Sequence, residues 1–190
     1  MDVVLSAPSK SLTGERPLAL PSFADAVDTN KAMVFSIGWH FLRDRAMAEE
    51  LAQDVFLELH RHWNGMKSAE HIVYWLRRVA SNRCIDAVRK SKLHPLRSLE
   101  ESAEPTALER VQDPLLSAYL ERMVASLPEK QRILVVLRYQ EGMEPEEIAK
   151  VLEMNVSTVK TQISRALDLL RTKTAHRLKQ QAEADGNERI

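Results

Sequence analysis

Within eight residues the chain sets Thr158, Lys160, Thr161, Gln162 and Arg165: two hydroxyls, an ammonium, a carboxamide and a guanidinium. Such groups hydrogen-bond to base edges and phosphates in a major groove. A second run, Tyr74-Trp75-Leu76-Arg77-Arg78 continuing to Asn82-Arg83, joins aromatic rings to cations and an amide. Unstacked bases and a phosphate strand need that combination. A third set, Glu49, Gln53, Asp54 and Phe56, makes an acidic and apolar face of the kind that docks on a partner helix. Each set alone also has a plainer reading: the wet face of a helical hairpin, a Trp75 at core spacing, an ordinary amphipathic helix.

Bond-making chemistry is not in view. The sequence has no GxxxxGK[ST], no HExxH and no Ser/His/Asp order. His60 and His62 stand two apart, so they do not share a helix face, and no carboxylate is spaced to complete a metal site. No catalytic residue, metal ligand or cofactor is expected.

The three sets need helices to hold them, and the composition supplies helices. Of 190 residues 44% are hydrophobic and 28% charged, with only 5 Gly and 5% aromatics. Long Ala/Leu/Glu/Arg-rich stretches favour an all-α fold over a sheet. Residues 1–26, with Pro8, Pro17 and Pro21, read as a disordered tail. Helical periodicity starts at Asp28 and runs to about Arg43, and Asp44 is placed to cap the next helix. That helix puts Leu51, Val55, Phe56 and Leu59 on one face. Asn64-Gly65 breaks the pattern, and a third helix spans about Glu70 to Lys90.

A first module thus covers 27–92, an irregular acidic linker 93–113, and a second module 114–178, with a C-terminal tail over 179–190. In the second module Pro128 ends one helix, Ile133 to Gln140 forms another, and Gly142 suits a left-handed stop. Pro145 then fits a first helical position. Glu146 to Leu152, a turn over Glu153 to Val156, and Ser157 to about Arg177 make a helix-turn-helix. Its corner is sealed by Ile148, Ala149, Leu152, Met154 and Val159, with Asn155 as cap.

Charge agrees. The 27 basic and 27 acidic side chains cancel, but they are not mixed evenly. Six basic residues against Asp86 alone lie between Arg77 and Lys92, and six against Asp168 alone between Ser157 and Lys179. Two separated basic segments in a neutral chain predict two nucleic-acid footprints. The lone Cys84 excludes an internal disulfide framework. No apolar run reaches the length of a membrane span, and no secretory signal opens the chain. The expected setting is the cytoplasm.

Taken in order, three stretches resemble the sigma factors of the extracytoplasmic-function class. They are Ala48-Glu49-Glu50-Leu51-Ala52-Gln53-Asp54-Val55-Phe56, then Trp75-Leu76-Arg77-Arg78-Val79-Ala80-Ser81-Asn82-Arg83-Cys84-Ile85-Asp86, and Leu127-Pro128-Glu129-Lys130-Gln131-Arg132 ahead of the helix-turn-helix. The likeness covers roughly Asp28 to Arg171. It implies a region 2 domain, a flexible linker and a region 4 domain that together read promoters for core RNA polymerase. Glu49, Gln53, Asp54 and Phe56 would meet the polymerase beta-prime clamp helices, and region 4 the beta flap. Lys67, His71, Trp75, Arg78, Asn82 and Arg83 would hold the −10 element, with one base flipped out. Thr158, Lys160, Thr161, Gln162 and Arg165 would read the −35 element. An anti-sigma partner would control the chain.

Four departures from the family pattern bear on promoter sequence. Glu153 takes a turn position usually held by Gly, where a left-handed residue costs about 1 kcal/mol. Gln162 replaces a frequent Arg, favouring adenine over guanine. Glu144-Pro145 and His71-Ile72 replace the more usual pairs at the start of the first helix of the motif and beside the base pocket. Two other functions predict different behaviour: a free-standing helix-turn-helix regulator would bind an operator as a dimer, and a helical adaptor would bind no DNA.

Overall fold

A computed structural model describes residues 20–93 and 114–187, and every element in them is helical. The N-terminal body holds α1 (Phe23–Leu42), α2 (Arg45–Arg61), a single 3-10 turn over Trp63–Gly65, and α3 (Ala69–Leu93). The C-terminal body holds α4 (Pro114–Ala125), α5 (Glu129–Tyr139), α6 (Pro145–Val151) and α7 (Val156–Asn187). Of the tail expected over 1–26 and the linker expected over 93–113, residues 1–19 and 94–113 lie outside the described residues.

Caps set most of the boundaries. Asp44 accepts a 2.8 Å hydrogen bond from the Met47 amide and so starts α2. Just before it Arg43 closes α1 in a left-handed conformation, φ 61°, its amide donating to the Trp39 carbonyl. Pro145 takes the first position of α6, and Gly142 has φ +65° beyond α5. Four ends differ from expectation, and one of them is the end of α3, which runs through Leu93 rather than stopping near Lys90. α1 begins at Phe23, not near Asp28, because the Ser22 hydroxyl accepts from the Asp25 amide at 3.2 Å. Phe23 then packs edge-on against His60 and Trp63, so residues 23–26 belong to the body rather than to a tail. α5 begins at Glu129, since the Pro128 carbonyl accepts from the amides of Gln131 and Arg132. α7 continues through Asn187 instead of stopping near Arg177.

Burial follows helical spacing. α2 buries Ala48, Leu51, Val55 and Leu59, and α3 buries Ile72, Leu76, Ala80 and Cys84, each a stripe at three- or four-residue intervals. Gly38 of α1 is buried, and a Cβ there would meet the Cα and Cβ of Ala48 at 3.4 Å, which is how α1 and α2 come so close. Burial pushes the Cys84 thiol up to about 12, as expected of an inert core cysteine.

The two bodies are not apart. α5 lies against α1 and α3, α6 against α3, and α4 against α1. Their buried side chains form one continuous core, from Ile37, Phe41 and Leu76 on one side to Leu134, Leu137 and Ile148 on the other. Polar groups cross the same seam. Glu141 accepts from the Ser36 hydroxyl at 2.8 Å, Arg43 pairs with Glu121, and Arg132 donates to the Phe41 carbonyl at 3.2 Å while lying over the Phe41 ring.

Candidate nucleic-acid interface

The helix-turn-helix is built as its sequence requires. Ile148 and Val159 are fully buried and Ala149 nearly so, which locks α6 to α7 at the corner. The Met154 amide donates back to the Ala149 carbonyl at 2.9 Å, and Glu153 takes the left-handed conformation with φ 52°. Asn155 Oδ1 accepts from the amide of Ser157 at 2.9 Å and from its hydroxyl at 2.8 Å, organising the first turn of α7.

On the outer side of α7, Thr158, Lys160, Thr161 and Arg165 are exposed and share one end of the helix. Lys160 is paired with Glu146 at 2.8 Å, and that ammonium with a backbone hydrogen bond holds the Glu146 carboxyl below its ordinary range. The Thr161 hydroxyl is turned inward to the Ser157 carbonyl at 2.8 Å. Gln162 is half-buried, its Oε1 accepting from Nε2 of Gln131 at 3.2 Å. That contact ties the carboxamide to α5. The five predicted residues are therefore brought together, with the polar groups of Lys160, Thr161 and Gln162 already engaged.

The second basic set is split by the fold. Lys67 of the loop meets His71 of the first turn of α3, whose Nδ1 accepts from the Lys67 amide at 3.2 Å. Trp75 is half-buried beside His62, the ring centres 5.7 Å apart. Asn82 is exposed. Arg78 points across the seam and pairs at 2.6 Å with Glu153 of the helix-turn-helix. Arg83 turns the other way, to Glu58 at 2.6 Å and Asp54 at 3.2 Å, and the hydrogen bond it donates to Glu58 holds its guanidinium above the usual arginine range. Asp54 and Arg83, assigned to two different surfaces from sequence, thus pair with each other.

Between α1 and α2 runs an open apolar groove of about 940 Å³. Glu49, Gln53 and Phe56 line it together with Phe35 and Leu57. Leu57 is 57% exposed on an otherwise amphipathic helix. Asp54 does not line it, being held on the α3 side. The sequence pattern does not mark the groove residues of α1, although Leu57, an apolar residue off the stripe of Leu51, Val55 and Leu59, is a usable signal. Nor does it mark Tyr74 as a bridge: its hydroxyl donates to the Lys150 carbonyl at 2.6 Å, a contact 76 residues apart in sequence that no local pattern reveals.

Known proteins share this arrangement. Residues 26–93 match the family model described as Sigma-70 region 2, and residues 117–170 the model described as Sigma-70, region 4. The ECF RNA polymerase sigma factor SigW of Bacillus subtilis is 28% identical over 163 residues, covering 79% of this chain and 87% of the relative. SigK of Mycobacterium tuberculosis is 29% identical over 157 residues, covering 79% and 84%. Among solved structures, CnrH in complex with the cytosolic domain of CnrY superposes with a TM-score of 0.62 at 20% identity, over 81% of this chain and 88% of that one. The sigma factor RpoE of Bartonella quintana, bound to the anti-sigma factor NepR, gives 0.65 at 17% identity, over 79% and 94%. These two likenesses are of fold.

Proposed function

The chain belongs to the sigma-70 family, in its extracytoplasmic-function class, and from that premise we propose which of its surfaces does what. It directs promoter recognition and transcription initiation by RNA polymerase and performs no catalysis of its own. Region 2 is the N-terminal body and region 4 the C-terminal one.

The observation that carries the assignment of surfaces is spatial. Glu49, Gln53 and Phe56 converge on one apolar groove, while Thr158, Lys160, Thr161, Gln162 and Arg165 occupy a different helix entirely. A groove rimmed by Glu49 and Gln53 suits a helix with an apolar stripe and basic flanks, and we assign it to the beta-prime clamp helices. Asp54 contributes indirectly, by holding Arg83. The face of α7 reads the −35 element, Gln162 pairing with adenine. Lys67, His71, Trp75, Arg78, Asn82 and Arg83 serve the −10 element, the loop gripping a flipped base and the guanidiniums holding the strand. Exposed Leu120 and Leu169 of region 4 offer apolar area to the beta flap. An anti-sigma factor controls the chain by covering the α1–α2 groove; the sigma factor RpoE, alike in fold, is named in complex with the anti-sigma factor NepR. The chain works in the cytoplasm, beside its polymerase, and no described helix is long and apolar enough to cross a membrane.

Run-off transcription with core polymerase and a promoter library tests the function, which predicts new start sites that depend on the added chain. Glu49→Lys tests the groove more cleanly than a change at Asp54, which would also unpair Arg83. Retention on core polymerase should fall at least tenfold while −35 duplex contacts persist. Unchanged retention removes the groove from the docking surface.

A further inference from the structure

We infer that Gln131, on α5 and outside the helix-turn-helix, is a positioning residue for promoter reading: by donating to the Gln162 oxygen it sets which end of that carboxamide meets which atom of the base. This deepens the reading that Gln162 pairs with adenine, and rests on it.

The contact joins two helices at a packed joint. Gln131 Nε2 donates to Gln162 Oε1 at 3.2 Å, from the first turn of α5 to the second turn of α7 and across 31 residues of sequence. Both side chains are half-buried. Four residues further along each helix, and so on the same faces, stand Val135 and Ala166. These two share a buried cluster with Leu127. The two glutamines therefore lie one turn from apolar packing that holds α5 against α7.

A carboxamide has two unlike ends, an oxygen that only accepts and a nitrogen that only donates. Adenine is met by both, the oxygen accepting from N6 and the nitrogen donating to N7. Turned end for end, the same side chain brings a donor to N6 and an acceptor to N7, and the pairing fails. The last torsion of a glutamine is broad and two-fold, so a free Gln162 shows both ends. Its oxygen carries two lone pairs. Gln131 takes one, and the other remains for adenine beside the nitrogen.

Stability alone does not account for an amide at 131. Its Oε1 is buried without a hydrogen-bond partner, and the bond to Gln162 is the one its side chain makes among the described residues. A buried acceptor left unmet destabilises a fold by more than one neutral hydrogen bond stabilises it. An apolar residue at 131 would suit the packing better, so the group is explained by what it does to Gln162. The neighbours on α7 need no such partner. Lys160 is held from α6 by Glu146 at 2.8 Å, but an ammonium has no second end to confuse. The Thr161 hydroxyl is satisfied within its own helix. Of the five residues on this face, Gln162 is the one that is two-ended, and it is held from another helix.

The test assembles the full chain with core polymerase on a promoter library randomised across the −35 element. The readout is the ratio of transcript yields between bases at each position. The parent should prefer adenine at one position, and Gln162→Ala should flatten that position. Gln131→Met fills similar space without an amide and should lower the same preference about three- to tenfold. Preferences elsewhere in the element should hold, and melting should not fall. Gln131→Lys keeps a donor and should keep the preference; any general gain from its charge cancels in the ratio. Gln131→Glu offers only acceptors, draws the Gln162 nitrogen instead, and should lower the preference at least as far as Gln131→Met. A uniform drop at every position with lowered melting makes Gln131 structural and overturns the proposal. An unchanged preference in Gln131→Met overturns it too, as does a loss in Gln131→Lys equal to that in Gln131→Met. If Gln162→Ala flattens no position, the pairing of Gln162 with a base is what fails, and the role of Gln131 falls with it.

Discussion

Region 2 and region 4 hold their cations in opposite ways. On α3 of region 2, Arg78 and Arg83 are both engaged by carboxylates from other elements, Glu153 in one case and Asp54 with Glu58 in the other. On α7 of region 4, Arg165 is exposed with no ion pair among the described residues, and Lys160 has only the half-exposed Glu146 nearby. Both segments look alike in sequence, six basic residues against one acid. A basic run therefore says little about availability. Region 4 leaves Arg165 to solvent; region 2 ties Arg78 and Arg83, both still part-exposed, to carboxylates elsewhere in the fold.

The sharpest way to break this comparison is to ask whether the two bodies are one cooperative unit. Leu76 and Ile148 are fully buried, one in each body, within a single continuous core. Leu76→Ala and Ile148→Ala should each destabilise by about 2–5 kcal/mol through reduced burial and the cavity left behind. A shared core predicts one melting transition that both substitutions lower alike in calorimetry. Two transitions, each moved by only one substitution, would mean that the seam adds nothing to stability.

Next in size is the contrast between Arg165 and Arg83. Arg165→Ala should lower transcription from a −35-dependent promoter about tenfold, the loss of a base or phosphate contact worth roughly 1–3 kcal/mol, with melting and core binding unchanged. Arg83→Ala should lower melting as well, because Asp54 and Glu58 lose their partner; these groups are partly exposed, so the loss stays below about 1 kcal/mol. If Arg165→Ala costs as much stability as Arg83→Ala, the distinction between a presented and an engaged cation fails.

A smaller effect separates strain from contact at Glu153. Glu153→Gly relieves a left-handed penalty of about 1–2 kcal/mol, offset by roughly 0.5–1 kcal/mol from the freer unfolded chain. Region 4 should gain at most about 1.5 kcal/mol in denaturant melts while the seam loosens. A destabilised region 4 would show that the carboxylate, through Arg78, contributes more than the turn geometry loses.

What can be read from sequence divides along the same line. Asp44, Gly142, Pro145 and Asn155 stand where their residue types predict, because a cap or a turn acts within four residues. The cluster from Thr158 to Arg165 is legible for the same reason, since α7 sets those side chains by its own periodicity. The start of α1 is hidden because Ser22 follows Pro21 in a stretch that resembles a tail, and the start of α5 because Glu129 to Arg132 is a polar run before the first buried residue. Arg78–Glu153, Tyr74–Lys150 and Arg132–Phe41 join positions 75, 76 and 91 residues apart. Nothing in composition or period encodes such pairs. Region 2 is therefore legible in outline, and its site residues less so than those of region 4.

The least effect, and the most diagnostic of the seam, concerns pH. Glu141 of region 4 faces Ser36 and Arg77 of region 2, and burial pushes its carboxyl above the ordinary range even though Ser36 and Arg77 both favour the charged form. The contact between the two bodies, their closure, therefore binds more proton than the separated bodies would. By linkage, closure is firmest at pH below the ordinary carboxylate value and weakens as pH rises through the raised one. Energy transfer between dyes at Arg61→Cys and Arg171→Cys, exposed positions one on each body, should fall over that interval and level off above it. Ser36→Ala deletes a donor to the carboxylate and should carry the interval to higher pH, whereas Glu141→Gln should abolish the slope. A slope that survives in Glu141→Gln would assign the titration to another group and detach it from the contact between region 2 and region 4.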